Sequence, residues 1–429
     1  MIKQLFLVTL PVAAVLGSYA LPIDTPVGQL FLFRLLVLAG AFSIFVMNRR
    51  VRWHQDPLGW FSALFLLFWI SYGIASMSWT PDPIAGLKDI EALIFGFLLI
   101  TTLLTMNISP DTKVTCLSRG WIVAYGVCAV LAIWEWTTGQ HLTSSFSLAH
   151  PSYELVSIVY GTLGNPNNFA ATIVLAWPFV LVISEKNRPS SSNMMIRAAV
   201  IVSAPILILM AGARLSLIAF AVQMLVWWLI NIKRPKRSFT LMFAVGILVG
   251  LSVVWVRNGD QVVLNKLAIL VNQGFSGHQS LTIRLNLILN GIHMLLHSGG
   301  FGVGAGGFEA VMAHGAVYWT GTDIDPHSFW IEITAEYGIF MLIGFIFLFG
   351  FMLLRALGGR KLALFENNPA MVCVHESILL VLVGYFFVCN ENSTYLTQSV
   401  NWMMLATAIT YLVSVRISSV EEKEAVAHA

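Results

Sequence analysis

The chain has 429 residues, 57% of them hydrophobic and 10% charged, with a formal net charge of +3. A soluble domain carries about 25% charged residues, so this composition excludes one. Apolar runs of about 20 residues recur along the whole length, each long enough to cross a hydrocarbon core of roughly 30 Å. They are continuous and lack the two-residue alternation of an outer-membrane barrel.

The expected fold is an all-α polytopic membrane protein, a single integral membrane domain over 1–429. The first 22 residues carry Lys3 and an apolar run to Pro22, but no small-residue cleavage site, and read as a first transmembrane helix rather than a signal peptide. About twelve spans follow in order, at 4–22, 28–47, 58–78, 88–108, 117–136, 167–184, 197–212, 215–232, 238–257, 334–354, 371–389 and 397–415. With the N-terminus inside, 18 of the 24 Lys and Arg residues fall in inside segments and 5 outside, and Arg34 falls within a span. The positive-inside bias therefore puts both termini in the cytoplasm and one large loop, 258–333, on the outer face between spans nine and ten.

The first 110 residues read as scaffold, with Trp53, Trp60, Trp79, Trp134 and Trp136 at span ends as in an interfacial aromatic belt. Arg34 has two readings: a residue snorkelling or paired within the bundle, or a contact to lipid phosphate. The outer loop 137–166 ends in Gly164-Asn165-Pro166-Asn167-Asn168-Phe169. Asn165 and Asn167 either start the sixth span, as Asn-Pro and an Asn cap would, or face a polar ligand. Gly212-Ala213-Arg214 makes a tight outer turn between spans seven and eight. Arg214 there is either a surface residue at a tight turn or, as a guanidinium beside a helix start, part of an anion site.

Residues 257–337 hold most of the polar chemistry that topology does not explain. The stretch 261–272 is amphipathic and suited to the interface. Thr282 to His297 has helical apolar spacing, with Arg284 near its start. Gly302 to Gly307 satisfies G-x-G-x-x-G literally, but no strand precedes it, so a dinucleotide site is rejected. A plain turn and a phosphate-cradling turn both remain. In Asp325-Pro326-His327-Ser328, Asp325 is expected to cap the following helix with Pro326 at its first position, leaving His327 in the first turn. A neutral His there can act as a general base.

His293 and His297 are four residues apart on one helix face, but no third ligand is evident and no metal is expected. Cys116, Cys128, Cys373 and Cys389 have neither metal-ligand nor disulfide-framework spacing and read as inert thiols.

Residues 200–350 resemble the O-antigen ligase and O-antigen polymerase family of bacterial membrane glycosyltransferases. The resemblance rests on Gly212-Ala213-Arg214, on Arg284 ahead of Ser298 to Gly304, and on Pro326 to Glu332 followed by Glu336-Tyr337-Gly338-Ile339. Trp136 to Leu142 and Gly164 to Phe169 look like the polysaccharide-polymerase branch. The chain has Ser328 where the family pattern leads one to expect Asn.

The resemblance implies an enzyme of the bacterial cytoplasmic (inner) membrane, active on its extracytoplasmic face. The donor it implies is a glycan on undecaprenyl pyrophosphate. The acceptor is a sugar hydroxyl, on a second lipid-linked glycan for a polymerase or on lipid A–core for a ligase. By the same carry-over Arg214 and Arg284 would hold the pyrophosphate and His327 would activate the acceptor hydroxyl. Asp325, Glu332, Asn165, Asn167 and Arg34 are the supporting candidates. The transfer is expected to invert the anomeric carbon without a metal or other cofactor, and no nucleic-acid partner is expected. The upstream stretches favour the polymerase. A transporter of lipid-linked sugars is the rival of another class, but transporters tend to show internal repeats and none is evident.

Overall fold

The computed structural model describes residues 1–25, 29–46, 56–142, 158–186, 191–232, 278–391 and 395–427. Among them are thirteen α-helices. These are α1 (Ile2–Leu16), α2 (Leu32–Val46), α3 (Pro57–Ser76), α4 (Pro83–Thr105), α5 (Pro110–Thr138), α6 (Pro166–Lys186), α7 (Ser191–Met210), α8 (Arg214–Asn231), α9 (His278–His297), α10 (Phe308–Gly315), α11 (Phe329–Phe365), α12 (Pro369–Val388) and α13 (Ser399–Ala427).

Among the described residues, six segments are long and apolar enough to cross a membrane: Ile2–Tyr19, α3, α5, α8, α11 and α12. Shorter apolar helices lie at α2 and within α6, α7 and α13. The multi-pass all-α expectation holds. The expected ninth span, 238–257, the amphipathic stretch 261–272 and the first part of the 258–333 loop lie outside the described residues. A small antiparallel hairpin, β1 (Ile23–Asp24) with β2 (Gln29–Leu30), was not foreseen and starts the second span at Leu32.

Helix starts follow a repeated local signal. Asp56-Pro57, Asp82-Pro83, Ser109-Pro110 and Asn368-Pro369 each pair a capping side chain that accepts backbone N–H bonds with a Pro at the helix start. α6 is buried on all sides from Asn168 to Val182, as expected of a helix apolar all round. Gln223 of α8 ties the centre together. Its amide donates to Val174 O and Leu380 O and accepts from Trp177 Nε1, so a buried polar group is fully used.

Two further groups of polar contacts stand apart from this central one. In the first, Lys3 meets Asn107 O, Arg355 pairs with Asp56, and Arg360 reaches Glu376 and Ile230 O. In the second, Trp79 and Thr80 reach Gly302 O and Ala305 O, and residues 167, 216 and 328 meet residues 390 and 391.

Candidate active site

The second of these groups holds the candidate site. Gly212, at φ +69, closes the turn after α7, Ala213 is extended, and α8 starts at Arg214. Arg214 is exposed, whereas Ser216, two residues on, is fully buried. The Ser216 hydroxyl donates to Oε2 of Glu391, which lies on the short link after α12 and is 3% exposed. Burial pushes the Glu391 carboxyl above the usual carboxylate range. The Ser216 hydroxyl, the charge of Arg284 and the Ser216 and Leu215 backbone amides pull the other way. Arg284 is partly buried near the start of α9.

The two asparagines of the 164–168 turn divide the readings between them. Asn165 Oδ1 accepts from Asn167 N at 2.8 Å and Asn165 O accepts from Phe169 N, so Asn165 starts α6. Asn167 Nδ2 donates to Glu391 O at 3.4 Å. The segment leading to them is fixed from behind. Buried Glu135 accepts from the Tyr160 and Gly161 amides, and Val159 N donates to Met210 O at the end of α7.

His327 reaches the same link by another route. The expected cap is corrected by the structure. Asp325 Oδ1 accepts from His327 N at 3.2 Å, which closes a local turn instead of feeding a helix. His327 then takes φ +47, and α11 begins at Phe329 with Ser328 as its extended N-cap residue. A left-handed non-glycine residue costs about 1–2 kcal/mol, and such strain clusters at functional sites. Ser328 Oγ donates to Asn390 Oδ1 at 2.8 Å, and Phe329 N donates to Cys389 O at 2.8 Å. An amide therefore stands beside the His327–Ser328 pair, supplied by Asn390.

Glu332 lies elsewhere. Glu332 and Glu336 of α11 and Asp89 of α4 are buried together, with one carboxylate oxygen of each within 4.8 Å of the others. They are the described residues whose spacing could hold a metal ion. Other demands already fall on them: Glu332 accepts from Tyr395 N, Glu336 from Phe308 N, and Asp89 from the Tyr337 hydroxyl. The cluster thus ties the start of α11 to α4, to the glycine turn and to the residues before α13. Reading the first 110 residues as scaffold overlooked Asp89.

The glycine turn is a packing wedge. The amides of Gly300, Phe301, Gly302, Val303, Gly304, Ala305, Gly307 and Phe308 donate to Leu295 O, Ser298 O, Ser298 Oγ, Ala335 O, Glu336 O, Ser76 Oγ, Gly304 O and Glu336 Oε1 respectively. With these donors consumed, the phosphate-cradling reading is set aside. A Cβ on Gly302 would lie 2.4 Å from Glu336 O, so close approach rather than ligand binding accounts for glycine there.

Arg34 is also outside the site. It pairs with Glu91 at 2.7 Å, donates to Gln29 O and lies over the Phe31 and Phe95 rings, which is the internal pairing foreseen as one of its two readings. The His293 and His297 rings stack at 3.7 Å. Among the described residues no metal-spaced group includes them. All four cysteines are free and buried.

The first turn of α8 through Ser216, the start of α6 through Asn167 and the His327 turn through Ser328 thus meet at Asn390–Glu391, within the reach of the Arg284 charge, and the sequence reading missed this link. A signal was present: Glu391 is the one charged residue in the connection between spans eleven and twelve.

Comparison with known proteins places the chain beside two sets of relatives. Residues 198–346, from α7 into α11, match the family described as O-antigen ligase, and this stretch includes Arg214, Arg284 and His327. The chain is also 27% identical over 395 residues to the teichuronic acid biosynthesis protein TuaE of Bacillus subtilis (strain 168), covering 89% of this chain and 78% of that protein. The family resemblance read from the sequence is shown.

Proposed function

We propose that this chain, an O-antigen ligase/polymerase-type membrane protein of bacterial surface-polysaccharide biosynthesis, is an inverting glycosyltransferase. It transfers a glycan from undecaprenyl pyrophosphate to a sugar hydroxyl on the extracytoplasmic face of the cytoplasmic membrane. The observation that supports this reading is that the helix start carrying Arg214 and the turn carrying His327 both bond to one link, on which the charge of Arg284 also acts.

The chemistry follows from the three side chains. The acceptor oxygen attacks the anomeric carbon as the bond from that carbon to the pyrophosphate oxygen breaks, which inverts the centre. Undecaprenyl pyrophosphate leaves, and the two guanidiniums of Arg214 and Arg284 stabilise the charge it gains. His327 takes the hydroxyl proton, a step that contributes about 10²–10⁴-fold. Guanidiniums in this role make a metal unnecessary.

Chain extension of a lipid-linked glycan is favoured over ligation to lipid A–core. The Trp136–Leu142 and Gly164–Phe169 stretches support it, and so does a relative named for biosynthesis of a teichuronic acid. The test is a reconstituted transfer assay in detergent with EDTA. Purified protein receives the undecaprenyl-pyrophosphate-linked glycan alone, then with lipid A–core. Extension with donor alone is expected, and His327→Ala should fold and insert but form no product. Product only with lipid A–core would make the protein a ligase. Equal turnover by His327→Ala would remove the general base from the mechanism. No product in either tube, with His327→Ala matching wild type in cells, would favour a transporter.

A further inference from the structure

We infer that Glu391 is a positioning residue for the donor clamp: its buried carboxylate holds Ser216 in the first turn of the helix that begins with Arg214, within reach of the charge of Arg284, and so sets the two arginines at one spacing. The inference deepens the glycosyl-transfer reading and rests on it.

Four observations carry it. First, α8 has no capping side chain of its own. Ala213 stands at the N-cap and can accept no hydrogen bond through its methyl group. The first turn's need for an acceptor is met from a distance in sequence, by the Glu391 carboxylate on the Ser216 hydroxyl and near the Leu215 and Ser216 amides. A carboxylate at that position also complements the positive helix end. Second, the charge of Arg284 acts on the same carboxylate. No direct ion pair of 4.0 Å or less joins them among the described residues, so the two act on each other at longer range. Third, the main chain of Glu391 receives the Asn167 amide, which holds the link against the start of α6. Fourth, its neighbour Asn390 accepts from Ser328, next to His327. The dipeptide therefore spaces the arginines from the base as well as from each other.

The alternative role for a buried carboxylate beside two arginines is a passive helix cap. The two roles differ in what they require of Arg284. A cap matters to α8 whatever stands at 284, whereas a positioning residue loses its effect on transfer once Arg284 can no longer make a planar two-point contact.

The test is a double-mutant cycle in the transfer assay, with Glu391→Gln, Glu391→Asp, Arg284→Lys and Glu391→Gln/Arg284→Lys. Detergent-solubilised folding is checked for each by size-exclusion profile. Glu391→Gln keeps the shape and an acceptor oxygen but removes the charge. It should raise the donor KM and lower kcat/KM by on the order of 10–100-fold. Glu391→Asp keeps the charge one methylene further back and should recover part of that loss. In the double variant the loss should be no greater than in Arg284→Lys alone, because coupled residues are non-additive. Multiplicative losses, or Glu391→Asp no better than Glu391→Gln, would overturn the positioning role and leave the transferase reading standing. Unimpaired Arg284→Lys would instead overturn the clamp itself, and the role of Glu391 with it.

Discussion

Replacing Gly302 by Ala tests whether the glycine turn is the wedge its contacts describe. The new Cβ would sit 2.4 Å from Glu336 O, 2.6 Å from Glu336 C and 2.7 Å from Gly338 N, all main-chain atoms that no rotamer change can move. Ordinary van der Waals contact needs at least 3.4 Å, so the turn and α11 must part by about 1 Å. That separation breaks the bonds from Gly304 N to Glu336 O and from Val303 N to Ala335 O. An unsatisfied buried group costs about 1–3 kcal/mol. The φ of +81 adds about 1–2 kcal/mol for an L side chain, and the stiffer unfolded chain returns about 0.4–1 kcal/mol. The net loss is about 2–4 kcal/mol.

Gly299→Ala is the internal control. Its φ is +64 and nothing lies within 4 Å of the added methyl, so the loss there is at most about 1 kcal/mol. The four free, buried cysteines supply the assay: a thiol-reactive fluorophore reports unfolding as detergent-solubilised protein is heated. Gly302→Ala should lower the midpoint by on the order of 5 °C, and Gly299→Ala by about 2 °C or less. Equal shifts in the two variants would refute the contact argument, because both carry the same backbone penalty.

Two further outcomes are expected. Arg214→Lys and Arg284→Lys should each lower kcat/KM by about 10-fold or more, because Lys lacks the planar fork that meets two phosphate oxygens; wild-type values for both would remove the clamp. The acid limb of transfer should lie above the ordinary carboxylate range, because burial raises the pKa of Glu391 against the Ser216 hydroxyl, the Arg284 charge and the two α8 amides. Since folding favours the protonated form, this residue's contribution to stability is fully present below the ordinary carboxylate pKa and declines as pH rises through the folded value. Acidification should therefore reduce activity before it reduces stability, and Glu391→Gln should lose its share of that limb while the share set by the general base remains. A limb unchanged in Glu391→Gln would assign it to another group.

The membrane-spanning architecture was legible because span length and positive charge are local properties of the chain. Arg214, Arg284 and His327 stood out for a related reason: charge on the outer side is scarce and unexplained by topology. Asn390 and Glu391 were not legible in the same way. Their partners Ser328 and Ser216 lie 62 and 175 residues away, and no periodicity or motif links positions so separated. The cap at Asp325 was misread for a finer reason. Asp-Pro starts α3 and α4, but at 325 the Asx turn onto His327 competes with the helix start and wins. Likewise Gly302 to Gly307 has the letters of a phosphate loop, and only the main chain of α11 and the side chains of α3 reveal where its amides go.

The link after α12 also bears on how the molecule comes into being. A ribosome delivers Asn167, Arg214, Arg284 and His327 first, in that order, and Asn390–Glu391 only after a further 62 residues beyond Ser328 have emerged. Until then α8 has no cap, Ser328 has no amide and Phe329 N has no carbonyl partner. The contacts that join the pieces thus form when the penultimate helix is already threaded into the bilayer. A nascent or truncated chain carries every side chain proposed to react yet lacks the link that bonds to their segments, so on that proposal competence is conferred late in synthesis.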